Sequence, residues 1–304
     1  MIVTTAKDFL SAYSPERFPA IAPSTARAAF LVSPTGFSLA RESATDNHYM
    51  AMQECVDASA ALTEHAELAA RLRECLPTIV FPGDPRTPDA VFPNNVFGTI
   101  AGKLIVGAMR HPVRKPETAR NDIRSFFRDL LKYDIVDLST QPFSAELTGS
   151  LVIDHARGIG FCGLSERCDM DGARAMHDAF GLKLTFCFHL AEGEYHTNVV
   201  LAVLASRAAI IASDGFADAD VAAAIADVYA PRTIQLSPAQ KNAFAGNAIS
   251  LSTDTVWMSQ HAAESLTSTQ RAAIESWNFS LRSVPLGEIE KAGGSLRCCV
   301  GEIF

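Results

Sequence analysis

Three side chains of this sequence have the types needed for covalent catalysis. Cys298 is a candidate nucleophile, His196 a candidate proton-transfer base, and Glu146 a carboxylate able to grip an NH-bearing group. A free thiol titrates near ~8.5, so Cys298 needs a nearby cation or donor to ionise at neutral pH. His196 could supply that, and could later protonate a leaving amine or activate water. Amides stand at comparable places: Asn94 and Asn95, Asn198, and Asn247. Each has a plainer reading. Asn94 and Asn95 suit a turn, Glu146 suits an exposed loop, and Gly246-Asn247 is an ordinary turn signal, so Asn247 is expected to be structural.

These residues sit where apolar runs begin. Asn95 opens Val96 to Ile100, Ser150 opens Leu151 to Ile153, Asn198 opens Val199 to Val203, Asn247 opens Ala248 to Leu251, and Ser295 opens Leu296 to Val300. The starts recur roughly every 50 residues, and all but the last are followed by a polar break and a second apolar run. Each unit reads as a β-hairpin. Helical patterns lie between them, at Arg120 to Lys132, Asp169 to Phe180, Ala217 to Tyr229 and Thr267 to Trp277, with one or two more across Asp46 to Cys75. Hairpin-plus-helix repeats of this length suggest a radial α/β array. The last unit lacks a second strand, and Ala28 to Val32 can supply it, closing a ring without free edges. On this reading 1–304 is one domain, and the order of Met1 to Thr25 is left open. His196 falls at a strand start. Cys298 and Cys299 fall in a strand, where neighbours point to opposite faces, so only one of them can face the axis.

Composition narrows the function classes. The chain has 304 residues, 26 basic and 34 acidic, for a net charge of −8, which argues against nucleic acid or an anionic membrane as partner. Hydrophobic residues make up 48 % and charged residues 20 %, a globular balance. No apolar run reaches membrane-spanning length, and Met1 to Pro15 has no basic start followed by an apolar stretch. The seven cysteines include no CxxC, and His spacing fits no zinc site, so no metal is expected and reduced thiols in the cytoplasm are the default.

Four pieces carry a family resemblance: Thr87-Pro-Asp-Ala-Val-Phe-Pro-Asn-Asn95, Glu146-Leu-Thr-Gly-Ser150, His196-Thr-Asn198 and Gly293-Gly-Ser-Leu-Arg-Cys298. In this order they resemble the guanidino-group-modifying superfamily, the penteins, and within it the arginine deiminase-related, citrulline-utilisation hydrolases. The resemblance spans roughly Ala28 to Phe304. It implies a five-bladed α/β propeller with pseudo-fivefold repeats and no cofactor. It also implies a nucleophile at Cys298, a general base at His196, and at Glu146 a carboxylate that grips the substrate nitrogen. Asn94, Asn95, Asn198 and Asp89 would line the substrate site; Asp89 would bind the amino end or brace its loop. Pro82 to Pro93 is a candidate lid.

Arginine deiminases carry aspartates where Asn95 and Asn198 stand. Two amides offer donors and acceptors without charge, which suits a neutral ureido group better than a guanidinium. Leu147, Val96 and Ser33-Pro34 also depart from the pattern, standing for Gly, Trp and Arg-Pro. The expectation is a cytoplasmic cysteine hydrolase that attacks the ureido or guanidino carbon of a citrulline- or arginine-like amino acid and releases ammonia. An arginine deiminase or (N-acyl)arginine dihydrolase is the nearest alternative, and a non-catalytic pentein-fold binding protein the alternative from another class. The expected partner is a small amino acid, with a homo-oligomer left open.

Overall fold

A computed structural model describes residues 1–304. Its strands form five separate sheets. Four repeat one plan: an antiparallel hairpin, a helical crossover, and a third strand parallel to the second. They are Phe97–Ile100 with Lys103–Val106 and Asp134–Asp137; Leu151–Asp154 with Ile159–Leu164 and Leu184–His189; Leu201–Leu204 with Ala208–Ile211 and Thr233–Gln235; and Ile249–Ser252 with Thr255–Ser259 and Ser280–Val284. Turns of two to four residues suffice for the hairpins, but a parallel third strand requires a long crossover, which is why each repeat needs its helix. The fifth sheet joins distant parts of the sequence. Gly301–Ile303 pairs antiparallel with Ala28–Val32, which pairs parallel with Thr78–Phe81.

Side-chain caps set where the crossover helices begin. Asp57, Asp169, Asp218 and Thr267 accept from the first backbone N–H groups of Ala58–Arg73, Met170–Ala179, Ala219–Tyr229 and Ser268–Ser276. The pattern at Arg120 to Lys132 becomes a short α-helix, Asn121–Ser125, continued by one π turn over Phe126–Leu130. Central strands such as Ala208–Ile211 are buried along their whole length, so they read as unbroken apolar runs rather than alternating ones. The first residues are also built in. Ile2–Val3 extends the edge of Leu184–His189, and the helix Ala6–Ala12 inserts Phe9 into the core, where it stacks on Phe186 at 4.7 Å. No helix is long and apolar enough to cross a membrane.

Two sequence expectations need correction. Three of the four hairpins, and the last strand, do not open directly as strands. A single helical turn comes first, at Pro93–Asn95, Leu147–Ser150, Thr197–Val200 and Leu296–Cys299. These turns are wholly or largely buried, and a short buried apolar run has no periodicity that separates a helical turn from a strand. Cys298 and Cys299 therefore lie in a 3-10 turn, and His196 precedes a helical turn. In the other case, the helix expected from Asp46 starts only at Ala58. Within Asp46 to Asp57 the polar side chains bond elsewhere: Asn47 accepts from Tyr49 N–H at 3.1 Å and donates to the Gly293 carbonyl at 3.3 Å, and such bonds compete with helix formation.

Candidate active site

The helical turns that open the hairpins meet one another. Pro93–Asn95 packs on both Leu147–Ser150 and Leu296–Cys299, and Leu147–Ser150 packs on Thr197–Val200. Asn247 completes the group, since its Nδ2 donates to the Asn198 carbonyl at 2.9 Å and to Cys298 Sγ at 3.3 Å. The approach is close enough to demand glycine at one point. A Cβ on Gly149 would fall 2.5 Å from Asn95 Oδ1 and 2.7 Å from His196 Cε1. So Asn95 and His196 face the same small gap from either side.

Cys298 is 1 % exposed. Its sulfur receives Asn247 Nδ2 at 3.3 Å and Asn198 Nδ2 at 3.6 Å. Burial pushes its thiol up, partly offset by the Ser295 backbone and the Asn247 amide. Successive side chains of a 3-10 turn project about 120° apart, so Cys299 takes a different direction from Cys298, although both belong to one apolar cluster with Leu296 and Val300. The two cysteines are thus separated by helical rotation rather than by strand alternation.

His196 and Glu146 are both fully buried and joined by Nε2 to Oε2 at 2.9 Å. Glu146 also accepts from Arg167 Nη1 at 3.2 Å and, on its other oxygen, from the Arg110 backbone N–H at 3.2 Å. Burial works against ionising Glu146, but Arg167 and His196 outweigh it and hold the carboxyl well below its usual range. Burial lowers the pKa of His196, with Glu146 pulling the other way. The stable arrangement is an ionised Glu146 accepting from a neutral imidazole. That tautomer follows from the acceptor and leaves Nδ1 as a lone pair. Nδ1 has no partner. Glu146 is therefore occupied in orienting His196, rather than waiting for a substrate nitrogen.

Arg167 is fixed in turn. Asp46 binds it through two bonds of 2.6 and 2.8 Å, and the Ser43 carbonyl accepts from it at 2.9 Å. Burial would raise the Asp46 carboxyl, yet His111 and Arg167 together bring it down to about 2. Ser43 and Asn47 line a small cavity of about 20 Å³ together with Asp89, Asn95, Arg114, Arg167 and Cys298. Asp89 accepts from Ser43 Oγ at 2.5 Å, and its other oxygen has no partner. Asn95 Oδ1 and both polar atoms of Asn94 are buried and unpartnered as well, although Asn94 does not line this cavity. Buried polar atoms are normally paired, so this concentration marks a place where a ligand can supply the partners. The proposed lid is partly a wall: Arg114 binds the carbonyls of Asp89 and Phe92 at 3.2 and 3.1 Å, and both residues are buried. A larger void, of about 270 Å³, lies elsewhere, against Arg27, Phe180, Lys183 and Phe304.

Residues 33–304 match the family described as N,N dimethylarginine dimethylhydrolase, eukaryotic. The chain belongs to this dimethylarginine dimethylhydrolase family. Its solved structural relatives share the α/β fold. The N-terminal domain of ArgZ, an arginine dihydrolase from the ornithine-ammonia cycle in cyanobacteria, superposes with a TM-score of 0.78 at 18 % identity, covering 91 % of this chain and 97 % of that one. A dimethylarginine dimethylaminohydrolase carrying an S-methyl-L-thiocitrulline adduct gives 0.70 at 19 %, covering 91 % and 100 %. The uncharacterised protein YkgA of Bacillus subtilis strain 168 is 24 % identical over 242 residues, 78 % of this chain and 77 % of YkgA.

For this member of the dimethylarginine dimethylhydrolase family, the structure brings Cys298, Asn198 and Asn247 into contact, and joins His196 to Glu146. It lines one cavity with Asp89, Asn95 and Cys298. Sequence reasoning set Asn247 aside, although it recurs at the same repeat position as Asn95 and Asn198. Arg167, Asp46 and Ser43 carried no local motif and became visible only through long-range pairing.

Proposed function

We propose that this chain is a cysteine hydrolase acting on the guanidino or ureido carbon of an arginine- or citrulline-like amino acid. The observation that carries the reading is a buried thiol held by two amides, in the same cluster of turns as a neutral imidazole with a free Nδ1. Cys298 is the proposed nucleophile, His196 the proton carrier, and Glu146 the carboxylate that fixes the imidazole.

Sulfur attacks the planar carbon, and the C–S bond forms as the thiol proton passes to His196 Nδ1. The tetrahedral adduct collapses, the C–N bond breaks, and His196 returns the proton to the departing nitrogen. Water, deprotonated by the same Nδ1, then attacks the carbon, and the C–S bond breaks as His196 returns that proton to the sulfur. The relatives support a covalent route. ArgZ has been captured covalently bound to a reaction intermediate, and the dimethylarginine dimethylaminohydrolase as an adduct with a thiocitrulline. Asn95, Asn94, Asn198 and Asp89 are the proposed substrate contacts. The free oxygen of Asp89 suits an ammonium, while the guanidinium groups of Arg114 and Arg167 give the cavity a cationic side for a carboxylate.

We further propose that the five sheets form one five-bladed α/β propeller and a single domain, because the turns opening the hairpins contact one another around the site. All seven cysteines are free, which suits a reducing cytoplasm.

The test is release of ammonia or methylated amine from L-arginine, L-citrulline and N,N-dimethylarginine by the parent, Cys298→Ala and Cys299→Ala proteins. Turnover abolished only in Cys298→Ala is expected. Turnover of all three substrates unaffected by Cys298→Ala would overturn the reading.

A further inference from the structure

The thiol of Cys298 has no cation against it. Its side-chain partners are two carboxamides, with N–S distances of 3.3 Å for Asn247 and 3.6 Å for Asn198; the Ser295 backbone also favours the thiolate, and the Arg297 charge acts less than Asn247 does. Burial opposes ionisation, so any stabilisation of the thiolate must come mainly from neutral donors.

Asn247 is the better placed of the two. It is fully buried, and one Nδ2 serves both the Asn198 carbonyl and the sulfur. These partners also fix which way the amide points. The Asn198 carbonyl can only accept, so the flipped amide would set oxygen against oxygen and, once the thiol ionises, oxygen against thiolate. The orientation shown leaves Asn247 Oδ1 buried without a partner. Leaving such an atom unpaired has a cost, and the N–H bonds to Asn198 and Cys298 are what it secures. The backbone holds the side chain in place, since Asn247 N–H donates to the Phe244 carbonyl at 2.8 Å and Phe244 adopts a left-handed φ of 60°.

We propose that Asn247 is a catalytic residue of this site: with Asn198 it forms a two-amide cradle that holds the Cys298 thiolate. This rests on Cys298 being the nucleophile. A neutral cradle differs in kind from an ion pair. It favours the thiolate without a counter-charge against the sulfur, so the nucleophile is ready for a carbon that itself arrives with a cationic or polarised group. No proton or electron is exchanged with either amide; both only donate hydrogen bonds.

The experiment titrates Cys298 directly and needs no substrate. The ultraviolet absorbance of the thiolate is followed against pH in the full chain, and the Cys298→Ala protein supplies the subtraction. The same is done for Asn247→Ala and Asn247→Asp. Loss of one hydrogen bond to a charged group predicts an upward shift of about one pH unit in Asn247→Ala, and about a tenfold slower alkylation of Cys298 near neutrality. Asn247→Asp keeps the shape and places a carboxylate by the sulfur, so a larger upward shift is expected. Should alanine fail to fold, the aspartate variant answers alone. An unmoved titration in the folded variants, even with a lowered melting temperature, would overturn the proposal and leave Asn247 as a tie to the turn that carries Asn198. Turnover by Cys298→Ala judges the nucleophile reading separately, so the two failures cannot be confused.

Discussion

Glu146 and Asp46 are carboxylates whose work is done through other side chains. Glu146 binds His196 and Arg167, and Asp46 binds Arg167 and His111. Glu146→Gln keeps the volume but removes the charge that stabilises a protonated His196. We expect kcat for amine release to fall by about 10²–10⁴, with KM changed much less, as measured by steady-state kinetics. Asp46 makes a prediction in pH. Its carboxyl is brought down to about 2 from an ordinary value near ~3.9, so its contribution to stability is complete above the ordinary value. That contribution is lost as pH falls through the depressed one. The stability gap between the parent and Asp46→Asn should therefore be full at about pH 6 and shrink from about pH 4 towards 2. Denaturant midpoints across that range measure it, and a gap constant with pH would mean that Asp46 carries no charge-dependent load.

The unit of construction at the next scale is the turn that opens each hairpin, followed by the strand it feeds. Gly149→Ala would push a methyl group between Asn95 and His196, both less than 3 Å from it. The expected result is about a hundredfold loss of kcat with destabilisation of roughly 1–3 kcal/mol, since neither neighbour can retreat in a buried cluster. Phe9→Ala is the contrasting case. It empties a fully buried site between the N-terminal helix and Phe186, so about 3–5 kcal/mol should be lost in denaturant unfolding while kinetic constants of the folded protein stay unchanged. The hairpins themselves were legible, because their strands are apolar runs bounded by turn residues at a steady interval. That Ala28–Val32 pairs with the last strand was legible from a unit lacking one, although the sequence pattern put that strand at Leu296 to Val300 rather than at Gly301–Ile303. The helical turns were not, because four buried residues look alike in either conformation. Among site residues, Cys298, His196, Glu146, Asn95 and Asn198 could be read from spacing and resemblance. Arg167, Asp46 and Ser43 could not, because each matters through a partner on a remote element, and Asn247 was read as structural because Gly-Asn is common in turns.

Across the whole molecule, the sheet formed by Gly301–Ile303 and Ala28–Val32 ties together segments far apart in sequence, and Cys298 lies just before that closing strand. A side chain at Gly301 would fall 2.2 Å from the Phe30 ring. Gly301→Val should therefore separate the strands, lowering the melting temperature by several degrees, as expected for a loss of roughly 1–3 kcal/mol. It should also speed alkylation of Cys298 as the turn before the strand loosens. A variant with parental melting temperature and slow alkylation would show that the closing strand does not govern access to the thiol.

The same arrangement bears on synthesis. A nascent chain leaving the ribosome can pair Ala28–Val32 with Thr78–Phe81 early, but the other edge of Ala28–Val32 stays bare until the much later Gly301–Ile303 has been made. Long-range pairings of this kind are slow to form, and bare edges invite association with other chains. Holding that edge back from wrong partners is then a task for chaperones during translation.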